Sequence, residues 1–221
     1  MLYTSTRDNS IRVSAAQAIA QGISEEGGLF VPVELPHFDI EKIASMASMN
    51  YIDRAKTVLK EYLTDFTEEE LDYCVSGAYA AQKFSSPQIA PTVNVDGNKN
   101  ILELWHGPTC AFKDMALQLL PYLMTVSAKK TADGKTIVIL VATSGDTGKA
   151  ALEGFKNVDN TKILVFYPVD GVSPMQKLQM TTQEGENVAV CAINGNFDDA
   201  QSAVKSIFTN NDIKKELAKK N

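Results

Sequence analysis

A lysine that follows a Gly-Pro turn is the residue of this sequence whose type and position best suit covalent chemistry. Lys113 closes the stretch 104–113, in which Gly107-Pro108 ends an apolar run with a turn. Thr109 stands where a helix N-cap belongs, and the spacing of residues 111–120 predicts a helix with Lys113 in its first turn. A cation there opposes the helix macrodipole, and apolar neighbours disfavour its charged form, so the amine could act as a nucleophile. Taken alone, however, the motif better fits a solvated surface lysine.

A second motif could bind an anion. Residues 138–148 (Val-Ile-Leu-Val-Ala-Thr-Ser-Gly-Asp-Thr-Gly) form a β-branched run, a small turn with glycine and the start of a helix. Such a junction presents backbone N–H groups and a helix N-terminus to a ligand, and three hydroxyls can add hydrogen bonds. The hydroxyls belong to Thr143, Ser144 and Thr147. We therefore expect a carboxylate or a phosphate at this loop.

Together, the two motifs resemble those of the threonine synthases, which are fold type II pyridoxal-phosphate enzymes. The stretches 3–7, 26–32 and 171–180 are similar to further segments of the same family, in the same order. The resemblance covers essentially the whole chain. It implies a tryptophan synthase β-like α/β fold and the conversion of O-phospho-L-homoserine and water to L-threonine and phosphate, the last step of threonine biosynthesis.

The resemblance also implies roles for individual residues. Lys113 would be the catalytic residue that carries pyridoxal 5'-phosphate, and Asp146 would contact the cofactor. Many fold type II enzymes have Asn at the position of Asp146, which can donate to the cofactor's phenolic oxygen, whereas an ionised Asp only accepts. Asp is usual in threonine synthases of this kind. The substrate-binding residues would be Thr143, Ser144, Gly145, Thr147 and Gly148.

Asp114 follows the lysine directly and would point elsewhere on a helix. Its carboxylate would favour the helix N-terminus, and a further role is left open.

The first 85 residues are predicted to form a mainly helical domain. Helices are expected over 14–23, 40–49, 53–63 and 67–83, the last opened by a capping box of Thr67 and Glu70. Ser85-Ser86-Pro87 changes the composition, so we expect a domain boundary there, with residues 86–221 forming the first part of a catalytic α/β domain.

After the boundary the hydrophobic period changes. A hairpin is predicted from strands 92–95 and 101–105 around Asp96-Gly97-Asn98. Strands then alternate with helices, which favours a mostly parallel sheet covered on both faces. The strands are 136–142, 162–167 and 188–193, and the helices are 111–129, 147–157, 173–183 and 197–208. Ligands of such sheets bind beyond the carboxyl ends of the strands, where both motifs fall.

The family's chains run well past residue 221. In them the glycine-rich loop for the cofactor phosphate and the group facing the pyridine nitrogen lie further on. We therefore expect a truncated chain that is inactive alone, whose sheet has an unfilled edge.

Composition excludes several classes of function. The net charge of −6 argues against a nucleic-acid-binding surface. No apolar stretch approaches the roughly 20 residues that cross a bilayer, and no secretory signal is visible. Three scattered cysteines make no disulfide framework, so the cytoplasm is the expected location. The partner that the resemblance implies is a small-molecule substrate, O-phosphohomoserine. The oligomeric state cannot be predicted.

Other interpretations of the motifs are weaker. Asp146-Thr147-Gly148 matches the aspartic-protease triplet but lacks the apolar lead-in and a second copy. Cys110 and His106 could suggest a thiol nucleophile, although a structural cysteine fits better. The glycines lack a full nucleotide-binding pattern, and the two histidines lack metal-ligand spacing. Met175, Leu178 and Met180 fit a core better than a cofactor site. A serine/threonine dehydratase, or a non-catalytic anion-binding α/β module, stays open as an alternative.

Overall fold

The computed structural model describes residues 1–131 and 135–219. The strands are β1 Tyr3–Ser5, β2 Phe30–Pro32, β3 Thr92–Asp96, β4 Lys99–Leu102, β5 Ile137–Ala142, β6 Thr161–Pro168 and β7 Val188–Ile193. The helices are α1 Ala15–Gln21, α2 Ile40–Ser45, α3 Tyr51–Tyr62, α4 Glu68–Ala78, α5 Asp114–Leu117, α6 Leu120–Thr131, α7 Asp146–Phe155, α8 Pro174–Thr181, α9 Phe197–Thr209 and α10 Asn211–Ala218. Short 3-10 helices occupy Met46–Ser48 and Ala81–Lys83.

The first 80 residues are mainly helical, as predicted, because each helix begins at a side chain that accepts from its first turn. Ser14 and Thr67 form capping boxes, and Asp39 and Asn50 cap α2 and α3. β1 and β2 pair antiparallel beside these helices.

Two predicted helices are shorter than expected. The helix over 40–49 ends at Ser45 and continues as a 3-10 turn, and the helix over 67–83 ends at Ala78. At the end of α2 the N–H of Met46 donates to the carbonyls of Ile43 and Ala44, whereas α4 has its C-cap at Tyr79 and a separate 3-10 turn follows over Ala81–Lys83.

The N-terminal helices and α6 share one hydrophobic core. Ala15, Leu63 and Cys74 are buried together with Leu123 and Val126 of α6. This packing connects the helical unit to the helix that follows Lys113. The boundary near residue 85 stays a prediction.

The sheet is parallel, as predicted, in the order β5-β6-β7. Alternate residues of β6, namely Ile163, Val165 and Tyr167, are buried against α7 and against Met180 of α8. α9 contacts β5 and β6 but lies outside that cluster, so helices cover both faces. Within the described residues no strand pairs with the outer edges of β5 and β7.

β3 and β4 form the predicted hairpin, but its second strand runs over Lys99–Leu102 and not over 101–105. A register shift between Asn94 and Asp96 draws the pairing toward the turn, and both strands are exposed along their length. Trp105 therefore lies beyond the hairpin.

The helix predicted over 111–129 is in fact two helices, α5 and α6, and Lys113 directly precedes the first. Thr109 is not its N-cap, since α5 has no side-chain cap and begins after Lys113. Pro121 explains the break: it has no N–H and its ring crowds the carbonyl four residues earlier, at Leu117, where α5 ends.

The expectation of a core position holds only for Met180 among the three apolar residues of α8. Met180 is fully buried, whereas Met175 and Leu178 are 65% and 57% exposed. α8 turns its Met180 side toward the sheet and its other side outward.

None of the helices in 1–131 or 135–219 is long and apolar enough to cross a membrane.

Candidate functional site

The amine of Lys113 lies beside an aromatic ring and makes no polar contact within the part of the chain that the structure describes. Its side chain is half-buried, and its Nζ lies 4.9 Å from the centroid of the Phe112 ring. Among the described residues no hydrogen-bond or ion-pair partner of this Nζ is found. By contrast, Lys42, Lys130 and Lys149 each contact a carboxylate. The Lys113 amine is thus free to react with a ligand.

A buried carboxylate shapes the loop that carries Lys113. Asp114 is fully buried, and its two oxygens accept from the backbone N–H and the hydroxyl of Thr109, each at 2.8 Å. A Cβ added to Gly107 would lie 2.5 Å from Asp114 Oδ2, so only glycine fits there. Asp114 therefore does not merely favour a helix N-terminus, because it fastens the Gly-Pro-Thr turn to the start of α5.

Burial raises the pKa of Asp114 above its usual value, and the two hydrogen bonds from Thr109 oppose that rise. The folded chain therefore holds a proton on this carboxyl more tightly than an exposed aspartate would. The Asp114 side chain thus has a structural task. Among the described residues it makes no hydrogen bond to Lys113 Nζ or to the turn of residues 143–148, called the anion loop below.

A hydrogen-bond chain holds the other end of the same loop. His106 Nε2 lies 2.7 Å from Glu103 Oε2, and His106 Nδ1 lies 2.8 Å from Ser85 Oγ. The backbone N–H of Ser85 also donates to the His106 carbonyl at 2.9 Å. Both ring nitrogens are occupied, which excludes His106 as a base for Cys110.

Cys110 lies between these two anchors with φ of +58°, a left-handed conformation that non-glycine residues seldom adopt. It is exposed and free, like Cys191, whereas Cys74 is buried in the helical core. The loop 107–113 is thus bent sharply and held at both ends.

The second motif is a tight turn that begins where β5 ends. Thr143 is buried, and its hydroxyl donates to the Gly145 carbonyl at 3.0 Å while accepting from the N–H groups of Gly145 and Gly148. A Cβ on Gly148 would lie 2.5 Å from Thr143 Cγ2. Three of the residues predicted to bind substrate therefore already bond to one another, and their contact with substrate stays a prediction.

The remaining residues of the motif face outward. Ser144 and Asp146 are exposed and Thr147 is half-buried. Asp146 and Thr147 begin α7, where backbone N–H groups have no partner within the helix. These N–H groups, with the Ser144 and Thr147 hydroxyls, are donors that an anion could use.

Gln176 of α8 is a site residue that the sequence reasoning missed. Its Nε2 donates to Asp146 Oδ1 at 2.7 Å, and its Oε1 accepts from the Ser173 backbone N–H at 3.3 Å. A Cβ on Gly145 would lie 2.5 Å from the same carboxamide. The Ser-Pro-x-Gln pattern is typical of a capping box. It does not indicate that the glutamine also donates a hydrogen bond to a residue 30 positions earlier.

Helix packing brings the two motifs to the same side of the sheet. α5 lies against α7 so closely that a Cβ on Gly154 would come within 2.1 Å of the Leu117 carbonyl. Asp114 also lies within electrostatic reach of Glu153 and Lys149 of α7. Lys113 thus directly precedes α5, and α5 packs on α7, the helix that follows the anion loop.

The described residues contain no group of three or more His, Cys, Asp or Glu side chains that could hold a metal ion. What the geometry offers is an unpaired amine, a fixed carboxylate and a set of outward-facing donors.

Comparison with known proteins shows which proteins this chain is similar to. Residues 2–79 match the family model "Threonine synthase N terminus". The chain is 40% identical over 210 residues to the threonine synthase of Pseudomonas aeruginosa. The matched region covers 94% of this chain and 44% of that protein.

Two solved structures agree with this. The pyridoxal-phosphate-bound threonine synthase of Brucella melitensis superposes with a TM-score of 0.85 at 37% identity, over 99% of this chain and 46% of that one. The Escherichia coli threonine synthase gives a TM-score of 0.87 at 34% identity, over 98% and 48%.

The chain therefore spans less than half the length of the relatives it matches. The resemblance and the fold class expected from the sequence are confirmed: this chain is similar, in sequence and in fold, to the N-terminal portion of the threonine synthases, fold type II pyridoxal-phosphate enzymes.

Proposed function

We propose that this chain contributes the N-terminal portion of a pyridoxal-phosphate-dependent threonine synthase, a carbon–oxygen lyase that releases phosphate from O-phospho-L-homoserine and forms L-threonine. The observation that carries the proposal is the unpaired amine of Lys113, held on a loop that is fastened at His106 and at Asp114. Such a loop keeps the amine in place without neutralising it.

The residues present fit the cofactor. An aldehyde needs an amine free of ion pairs, and Lys113 is the candidate that the sequence motif and the described contacts both support. Pyridoxal phosphate, when bound, supplies an electron sink for reactions at the carbons of an amino acid. Lys113 would hold it and then carry protons to and from the substrate, so one side chain serves as tether and as acid–base group.

Asp146 is proposed to face the cofactor, as the resemblance implies. Because Gln176 donates to Asp146 Oδ1, the carboxylate is oriented and one of its oxygens is satisfied within the protein. An ionised carboxylate only accepts hydrogen bonds, so its partner on the ligand must be a donor.

The anion loop is proposed to hold the substrate's α-carboxylate. Ser144 and Thr147 offer hydroxyls that face outward, and the start of α7 offers unpaired N–H groups. The hydrogen bonds from the N–H groups of Gly145 and Gly148 to the Thr143 hydroxyl stabilise this turn. These three residues would therefore support substrate binding mainly by fixing the backbone of the loop.

The contacts to the cofactor phosphate and to the pyridine nitrogen are expected from a portion of the enzyme not present among these residues. We accordingly propose that the chain alone binds the cofactor poorly and turns over negligibly. The cytoplasm remains the expected location on composition, and the oligomeric state is open.

The experiment uses a hybrid in which residues 1–221 replace the matching portion of the Escherichia coli threonine synthase. The hybrid should show the visible absorbance of bound cofactor and release phosphate from O-phosphohomoserine, and Lys113→Ala should abolish both. A folded, cofactor-bound hybrid that dehydrates serine or threonine but releases no phosphate would favour the dehydratase alternative. A folded hybrid that binds no cofactor would favour the non-catalytic module.

A further inference from the structure

A cavity of about 460 Å³ lies between the N-terminal helical unit and the helices α6 and α7. Its lining includes Tyr73 of α4, Lys83, Gln118, Tyr122 and Glu153. Nothing in the proposed reaction uses these side chains. They combine two tyrosine rings, a cation, an anion and an amide around a single space.

Gln118 is the first sign that the cavity is built for a ligand. Only 3% of the residue is exposed, yet its Nε2 has no hydrogen-bond partner among the described residues. A buried polar group without a partner is costly, and native structures rarely retain one without a reason. Gln118 lines the cavity but its Nε2 exposes less than 1 Å², so a ligand would supply the missing acceptor once the carboxamide turned toward it.

Lys83 is the second sign. Its side chain is half-buried, and burial lowers its pKa below the usual lysine value. Its Nζ lies 3.4 Å from Tyr122 Oη and 5.0 Å from the centroid of the Tyr122 ring. Within the described part of the chain no carboxylate lies at ion-pair distance from Lys83, so this partly desolvated cation lacks a counter-ion.

Glu153 supplies the opposite charge in the same cavity. Its Oε2 lies 3.4 Å from Lys149 Nζ, the one ion pair it makes among these residues, and it acts on Lys83 through space. The exposed side chains of Lys156 and Asp159 add one charge of each sign at the rim, so the cavity lining carries two cations and two anions. A small dianion such as phosphate would therefore meet as much repulsion as attraction. A ligand with one negative and one positive group would suit Lys83 and Glu153 together.

The apolar part of the cavity also has a defined shape. The rings of Tyr73 and Tyr122 meet edge to face, with centroids 5.5 Å apart and planes at 71°. Pro108 and Pro121 add further apolar surface. Such walls suit a hydrocarbon side chain attached to the charged groups.

The cavity is separate from the anion loop. It opens beside Gly154 and Val158, at the carboxyl end of α7, whereas the loop is at the amino end of the same 10-residue helix. A helix of that length spans about 15 Å. Pro108, however, belongs to the loop that ends in Lys113, so a bound ligand would touch the segment that carries the amine.

We propose that this cavity binds a free α-amino acid, whose carboxylate meets Lys83 and Gln118 and whose ammonium faces Glu153. Its side chain would lie against Tyr73 and Tyr122. A bound amino acid would contact Pro108 and could thereby shift the loop that carries Lys113.

The test is a binding titration of the ¹⁵N-labelled chain by NMR, with each of the 20 L-amino acids and with acetate, methylammonium and inorganic phosphate. At least one amino acid should bind and shift the side-chain amide signals of Gln118. Acetate, which offers only the carboxylate, should bind about tenfold more weakly, and phosphate should bind more weakly still.

Two variants separate the two contacts. Lys83→Met should weaken both the amino acid and acetate by about tenfold, the loss expected for one buried charged contact. Glu153→Gln should weaken the amino acid but leave acetate binding unchanged or tighter. Lys60→Met, an exposed lysine paired with Glu68, is the control that should change neither.

The proposal is overturned if no amino acid shifts the Gln118 signals at about 10 mM, well above the range of specific small-ligand binding. It is also overturned if phosphate binds as tightly as any amino acid, or if folded Lys83→Met binds like the unmodified chain. None of these outcomes depends on the proposed synthase activity.

Discussion

Gln176 Nε2 donates to Asp146 Oδ1 across 2.7 Å and so ties α8 to the first turn of α7. The same carboxamide fills the space that a side chain at residue 145 would occupy. The proposed cofactor-facing carboxylate is therefore oriented by a residue from the next helix, and the glycine of the turn makes room for that contact.

Replacing Gln176 by Leu should free Asp146 and disorder the carboxylate. The bond lies at an exposed position, so we expect a loss of only about 0.5–1 kcal/mol in the free energy of unfolding. Cofactor affinity of the hybrid enzyme should fall about tenfold, because an unoriented carboxylate must be ordered on binding. Denaturant unfolding and cofactor titration measure the two effects. Gln179→Leu on the same helix is the control, and equal losses in both variants would contradict the role of Gln176.

Asp114 should make stability depend on pH in a direction opposite to that of most aspartates. Its pKa is raised in the folded chain, so the folded state binds the proton more tightly than the unfolded state does. Its contribution to the free energy of unfolding is then largest below the ordinary value of 3.8 and falls as the pH rises through the folded-state pKa.

Urea midpoints measured from pH 3 upward for the unmodified chain and Asp114→Asn test this. The stability of the unmodified chain relative to the variant should decrease as the pH rises through that window. A relative stability that increases with pH would show that the hydrogen bonds from Thr109 outweigh burial.

Gly107→Ala should destabilise the chain through the same carboxylate. The new Cβ would lie 2.5 Å from Asp114 Oδ2 and 2.6 Å from Asp114 Cβ in a buried setting, so the turn or α5 must move. We expect a loss of about 1–3 kcal/mol, the range for overpacking. Gly97→Ala, in the exposed hairpin turn with nothing within 4 Å of the new Cβ, is the comparison. Its positive φ alone should cost about 1 kcal/mol. Equal losses at the two positions would refute the contact.

Cys110 offers a test of backbone strain in the loop that carries the amine. Its φ of +58° costs a non-glycine residue about 1 kcal/mol, which glycine does not pay. Cys110→Gly should therefore be more stable than Cys110→Ala by a few tenths of a kcal/mol or more, after the extra freedom of glycine in the unfolded chain is counted. Thermal unfolding of the two variants measures the difference, and a more stable alanine variant would place Cys110 outside the left-handed region.

Much of the fold could be predicted because local signals and packing agree. Helices begin at the predicted positions 14, 67 and 173, where Ser14, Thr67 and Ser173 cap them, and the β-branched runs form parallel strands at the expected residues. The break between α5 and α6 was not predicted, because the helical spacing of apolar residues continues across it and only Pro121 marks it.

The site was predicted in part, for a physical reason. Lys113 and the 143–148 turn could be found because their residue types are local to a loop between a strand and a helix. The roles of Asp114, His106 and Gln176 depend on contacts with residues 5 to 30 positions away, and no periodicity encodes such contacts. Met175 and Leu178 were assigned to a core because apolar type alone does not tell which side of α8 faces the sheet.

The central claim is that Lys113 is the lysine that carries the cofactor. It is tested most directly by treating the hybrid enzyme with pyridoxal phosphate, reducing it with borohydride and mapping the pyridoxyl group by mass spectrometry. The account predicts that the label is concentrated on Lys113 and that Lys113→Arg removes it while exposed lysines such as Lys60 stay unlabelled at low reagent. A label spread over many lysines, or concentrated on a different one with Lys113 unmodified, would contradict it.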